Sequence, residues 1–161
     1  MTALMQAPTA NRVAATAGEQ EFITFYLGDL LLGIDIHQVQ EINRNVDMTP
    51  VPHAPQAVRG VINLRGEVVL VVDLREVLGL PKSALTRSNR NVIVKNGGEQ
   101  IGLLVDRVAD VVRANTDDLD PMPENLRGID QRFFKAVYKL ELGLLVILDV
   151  NVTLASICNE S

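Results

Sequence analysis

Hydrophobic and polar positions alternate along this chain in short runs, and most runs have the length of a strand rather than of a helix. Phe22 to Leu27 is the first; Gly28-Asp29 supplies a turn, and Leu30 to Ile36 returns. The densest pair is Val61 to Leu64 and Val68 to Val72, β-branched runs joined by Arg65-Gly66-Glu67. This predicts a tight hairpin with Arg65 at its solvent-facing tip, although buried core strands read the same way. After Asp73 the pattern changes to a short helix, Leu74 to Leu78, stopped by Gly79 and Pro81. Val92 to Val94 and Gln100 to Val105 flank Asn96-Gly97-Gly98, residues that tolerate positive φ. Phe133 to Leu140 and Leu144 to Leu148 form a last hairpin around Glu141-Leu142-Gly143, and Val150 to Ile157 closes as a short helix.

Other stretches carry no such period. Residues 1–18 are rich in Ala and Thr and predict a disordered arm, which leaves 19–161 as the folded unit. Pro50, Pro52 and Pro55 make Asp47 to Gln56 an extended connector. Lys82 to Asn89 reads as a loop, and Asp117 to Asp120 as an acidic loop leading into Pro121-Met122-Pro123. In His37 to Ile42, the spacing of Val39 and Ile42 with Glu41 beside them predicts a short helical turn.

Two segments recur in the same order. Gly33-Ile34-x-Ile36-x-x-Val39-x-Glu41-Ile42 matches Gly102-Leu103-x-Val105-x-x-Val108-x-Asp110-Val111. Val69 to Leu74 matches Leu145 to Val150, each a strand ending in Asp before a helix. Duplicated units of short strands bury their edges by closing into barrels, so the expectation is two small barrels of about five strands apiece, with a groove where they meet.

Composition narrows the function. An apolar content of 47% over 161 residues is ample for a core, and a net charge of −5 with scattered Lys and Arg argues against binding a phosphate backbone. The single cysteine, Cys158, forms no internal disulfide and fits a reducing compartment. The N-terminus lacks a signal-peptide pattern, and no apolar run approaches the roughly 20 residues that span a bilayer, which points to a cytoplasmic protein. His37 and His53 have no metal spacing and read as surface residues. The serines lack a Gly-x-Ser-x-Gly elbow, the glycines never assemble a phosphate loop, and Asp117, Asp118 and Asp120 lack the central Gly and closing Glu of a calcium loop. No catalytic group, cofactor or metal is expected; an enzyme with a site in the inter-barrel groove is the competing reading. Binding is the function that remains.

Gly33-Ile34-Asp35-Ile36, Val39-Gln40-Glu41-Ile42, the block Arg59-Gly60-Val61-Ile62-Asn63-Leu64-Arg65-Gly66, and Val71-Val72-Asp73-Leu74-Arg75 together resemble the CheW family of bacterial chemotaxis coupling proteins, from about Glu21 to Ile157. The resemblance implies a mainly β fold of two intertwined SH3-like barrel subdomains with short helices. It also implies an adaptor that binds the cytoplasmic tip of chemoreceptors and the regulatory domain of the histidine kinase CheA, and that meets further copies of itself in arrays. A coupling role in another motility or second-messenger pathway would use the same fold. Carried over by residue, the receptor-facing set is Val39, Glu41, Ile42, Gly60 and Arg65, and the kinase-facing set is Val108 and Val111, two valines that also fit plain core positions. The chain has neither an appended receiver nor a kinase core, which argues against a coupling-receiver fusion or a piece of CheA.

Overall fold

The computed structural model describes residues 18–45, 47–123, 129–141 and 143–158. The arm expected at 1–18 therefore lies, except for Gly18, outside the described residues. The elements are β1 (Glu19–Leu27), β2 (Leu30–Asp35), β3 (Val39–Asn43), β4 (Val58–Leu64), β5 (Glu67–Asp73), α1 (Leu74–Leu78), β6 (Arg90–Asn96), β7 (Glu99–Val105), β8 (Arg107–Asn115), β9 (Leu119–Asp120), β10 (Phe134–Leu140), β11 (Gly143–Leu148) and α2 (Val150–Cys158). One sheet runs β3-β6-β7-β5-β4 and the other β9-β10-β11-β2-β1-β8.

The repeat in the sequence is a repeat in space. β5 lies parallel to β7 with Val71 opposite Gly102, and β11 lies parallel to β2 with Ile147 opposite Gly33. Since Gly33 matches Gly102 and Val71 matches Ile147, the two registers are the same. They are also crossed: the β1–β2 hairpin of the first unit sits in the sheet of the second, and β6–β7 of the second in the sheet of the first. The barrels are thus intertwined. Each is closed by the same device, Thr49 bridging Val61 of β4 in one and Asp120 pairing with Val137 of β10 in the other.

Alternation along the strands sorts side chains into three cores. Ile62, Leu64, Val69, Val71, Ile93 and Leu104 fill the first barrel; Phe22, Ala114, Leu145 and Ile147 fill the second. A larger cluster, including Phe25, Leu32, Ile34, Val72, Val92, Leu103, Val146 and Leu148, is shared between the sheets. The small barrel interiors explain the repeated glycines. A Cβ on Gly33 would come within 3.1 Å of Leu145 and one on Gly102 within 3.2 Å of Ile93.

Two expectations are corrected. His37 to Ile42 is not a helical turn: a 3-10 turn occupies Ile36–Gln38, capped by the Asp35 side chain, and Val39–Asn43 is a strand paired with β6. Backbone pairing to Val92 and Val94 overrides the local i, i+3 spacing. The acidic loop at Asp117 to Asp120 is a 3-10 turn over Thr116–Asp118 followed by the two-residue strand β9, because Leu119 and Asp120 find backbone partners on β10. The remaining predicted hairpins, the helix after Asp73 and the loop at 82–89 are present.

Candidate functional site

Two edge strands carry most of the expected contact residues, and both are bulged at matching positions. On β3, Val39 faces Val94, Glu41 faces Ile93 and Ile42 faces Val92, so one extra residue lies between Val39 and Glu41. The bulge turns an i, i+3 pair onto one face of a strand, where strict alternation would put the two on opposite faces. Val39 packs on the shared core, and Ile42, further along the same face, is 38% exposed. On β8, Val108 faces Phe25 and Val111 faces Ile23, with the extra residue again between them. Val108 packs on the shared core, as the core reading of that residue requires, and Val111 is 49% exposed. The second bulge is tied by the Thr24 hydroxyl, which donates to the Asp110 carbonyl.

Arg65 occupies the β4–β5 turn with φ 52°, followed by Gly66 at 82°. Positive φ at both central residues is the type I′ geometry that continues the strand twist, and it favours Asn, Asp or Gly at the place Arg65 holds. The Asn63 side chain accepts from the Gly66 N–H at 3.0 Å and steadies the turn. From there the Arg65 guanidinium reaches across to β3 and pairs with the Glu41 carboxylate. Glu41 is largely covered, with 22% of its side chain exposed against 72% for Arg65. Val39, Glu41, Ile42 and Arg65 therefore share one barrel edge.

Gly60 does not present a surface. It is buried, its φ is 151°, and a Cβ there would lie 2.5 Å from the Thr49 carbonyl oxygen. Its place in the receptor-facing set becomes that of a packing position, the one that lets Thr49 pair with Val61 and close the first barrel. Val108 and Val111 lie on the other sheet from this edge.

Sequence reasoning left one polar node without a role. Arg75, in the first turn of α1, makes a two-pronged ion pair with Asp106, Nε to Oδ1 at 2.9 Å and Nη2 to Oδ2 at 2.5 Å. The Gly28 N–H also donates to Asp106 Oδ2, at 2.7 Å, and Arg75 Nη1 donates to the Pro81 carbonyl. The hydrogen bonds from Arg75, more than burial opposes them, hold the Asp106 carboxyl below its ordinary pKa, and the same bonds raise Arg75. The available signal was an acid, Asp106, standing alone between two apolar strands.

A cavity of about 60 Å³ sits at the mouth of the second barrel between Gln20, Asp35, Gln38 and Lys135, and a wider, more open hollow of about 390 Å³ lies between Glu67, Val68, Leu70 and Gln100. Among the described residues no group of three or more His, Cys, Asp or Glu is placed to hold a metal ion. His37 lies in the open and bonds to Asp35 of its own turn.

Comparison with known proteins agrees with this geometry. The CheW-like domain model matches residues 21–158. The chain is 30% identical over 147 residues to the chemotaxis protein CheW of Treponema pallidum, covering 88% of this chain and 86% of that protein. It is 33% identical over 132 residues to protein FrzA of Myxococcus xanthus, covering 78% and 82%. The crystal structure of the scaffolding protein TtCheW from Thermoanaerobacter tengcongensis superposes with a TM-score of 0.74 at 31% identity, over 81% of this chain and 88% of that one. With the family model spanning both barrels and their closing helix, the chain belongs to the CheW family of chemotaxis scaffold proteins.

Proposed function

We propose that the protein is a non-catalytic adaptor that couples the cytoplasmic tip of transmembrane chemoreceptors to the regulatory domain of the histidine kinase CheA. The observation that carries this reading is Arg65. An arginine held in left-handed backbone costs stability that Asn or Gly would not, and such strain concentrates at functional positions. Its guanidinium, fixed by Glu41, stands on the same edge as Val39 and the exposed Ile42. A cation beside a small apolar strip suits the side of an amphipathic receptor helix. Val111 on β8, with Val108 beneath it, is the corresponding surface for the kinase. No helix among the described residues is long and apolar enough to cross a membrane; the protein reaches receptor arrays in the cytoplasm through its partners.

Co-sedimentation with receptor-containing membranes, with and without the kinase, tests this. Binding to receptor membranes that the kinase strengthens is the expected result. No binding in either condition overturns the proposal. A second reading has its own support in the similarity to FrzA, a relative from Myxococcus xanthus. In that reading the same edges serve the receptor and kinase of another motility pathway, and binding appears only with that pathway's components.

A further inference from the structure

The shared core that joins the two barrels is apolar, and apolar contact resists separation far more than it resists sliding or rotation. A directional contact is needed to fix the angle. Most side-chain bonds between described residues stay within one sheet, as Arg65 to Glu41, Arg59 to Asp73, Gln20 to Asp35 and Arg113 to Glu21 do. The Arg75–Asp106 node does not. Arg75 belongs to the helix that follows β5 of the first barrel, and Gly28 to the β1–β2 turn in the sheet of the second. Asp106 is the single residue between β7 in one sheet and β8 in the other, and its own N–H donates to Tyr26, at 3.1 Å. The next residue, Arg107, stacks its guanidinium 3.9 Å above the Tyr26 ring.

The repeat supplies an internal control. At the matching crossover from β2 to β3, the place of Asp106 is taken by His37 and that of Arg75 by Asn151, both exposed, and the His37 ring bonds only back to Asp35 among the described residues. One crossover is pinned and its twin is not. The forked geometry of an arginine on a carboxylate fixes orientation as well as distance, which a lysine would not do.

We propose that Arg75 and Asp106 are positioning residues that set the angle between the two barrels, with the β7–β8 crossover as the fixed pivot. On the reading given above, this angle also sets the spacing between the β3 edge and the β8 edge. The pivot itself does not depend on that reading, and its test uses no partner.

Spin labels on Lys95→Cys of β6 and Lys139→Cys of β10, in a Cys158→Ser background, report the distance between the barrels by pulsed electron resonance. Both lysines are exposed and lie in different sheets. The parent chain is expected to give a distribution no wider than the labels themselves impose. Asp106→Asn and Arg75→Gln should broaden or displace it while amide chemical shifts inside each barrel stay in place, Arg75→Lys should do so less, and His37→Ala should leave it unchanged. A parent-like distribution in Asp106→Asn and Arg75→Gln overturns the proposal, as does broadening that comes with loss of the barrels' own signals, or equal broadening from His37→Ala. Should the first two variants not fold, Arg75→Lys decides: parent-like refutes, broader supports.

Discussion

Replacing Arg65 by Asn separates the cost of the turn from the value of the side chain. Two terms act on stability and they oppose each other. Arg65 sits at φ 52°, and an ordinary L-residue in that region costs about 1 kcal/mol that Asn largely avoids. The lost ion pair to Glu41 contributes about 0–1 kcal/mol, toward the lower end because the Arg65 side chain is 72% exposed and screened by solvent. The net change lies between neutral and a gain of about 1 kcal/mol, so the melting temperature should stay level or rise by roughly 2–4 °C for a domain of this size. Function should move the other way. If the guanidinium is a contact that the receptor uses, binding weakens by about 2 kcal/mol, close to 30-fold, and receptor-dependent kinase activation falls with it. Thermal melting and a receptor-kinase coupling assay on one preparation read both terms. Unchanged coupling would leave Arg65 as a solvated turn residue, and a drop of more than a few degrees would show that the pair with Glu41 holds the first barrel together.

Three further perturbations test the fold that carries this surface. Val71 is fully buried inside the first barrel, so Val71→Asp places an unpaired charge there and should cost several kcal/mol of a total of about 5–15, removing the cooperative urea transition at 25 °C. Gly60→Ala drives a Cβ into the Thr49 carbonyl, whereas Gly143→Ala meets open space at a similar φ of 154°; the first should lose about 1–3 kcal/mol more than the second, with faster amide exchange at Thr49 and Val61, and equal losses would refute the clash. Asp106 has a folded pKa below its unfolded one, near 3.9, so its contribution is present in full above about pH 5 and is lost as the pH falls through the depressed value. The urea midpoint of the parent should therefore fall more steeply below pH 4 than that of Asp106→Asn, and parallel curves would show that the pair contributes nothing.

Much of the fold could be read before the structure because its information is local. Gly28, Gly66 and Gly97-Gly98 all mark turns through positive φ, and Gly79 ends α1 in the left-handed region. The duplication was visible because the barrel interiors constrain Gly33 and Gly102 against the same kind of neighbour. Three features were not legible. The strand character of Val39–Asn43 rests on pairing with β6, some fifty residues on, and the bulge between Val39 and Glu41 imitates helical spacing. The burial of Gly60 rests on Thr49 arriving from the proline-rich connector. The Arg75–Asp106 pair joins residues that neither strand alternation nor helix spacing relates, so only the folded chain brings them together.

On the proposed reading one small domain serves two partners, and the matched bulges bear on how it does so. Burial alone gives no reason to keep an apolar residue outward on an edge strand, where it invites aggregation. Yet Ile42 and Val111, at matching positions of the two units, are both exposed, and so are Val68 and Leu144 at a second matching pair. Core packing selects what is buried and cannot account for repeated exposure. Duplication supplies each barrel with the same edge, a bulge that places two aliphatic residues on one face with the inner one anchored in the shared core. What differs is the charge beside it. β3 offers Glu41 with Arg65 leaning over from the neighbouring hairpin; on β8, Asp110 takes the place of Glu41, and Leu140 and Glu141, not an Arg, match Leu64 and Arg65. On the proposed reading, the common apolar pair gives both surfaces affinity, and the turn arginine that leans over β3, where β8 has instead its Arg113 paired with Glu21 of β1, distinguishes the receptor's edge from the kinase's.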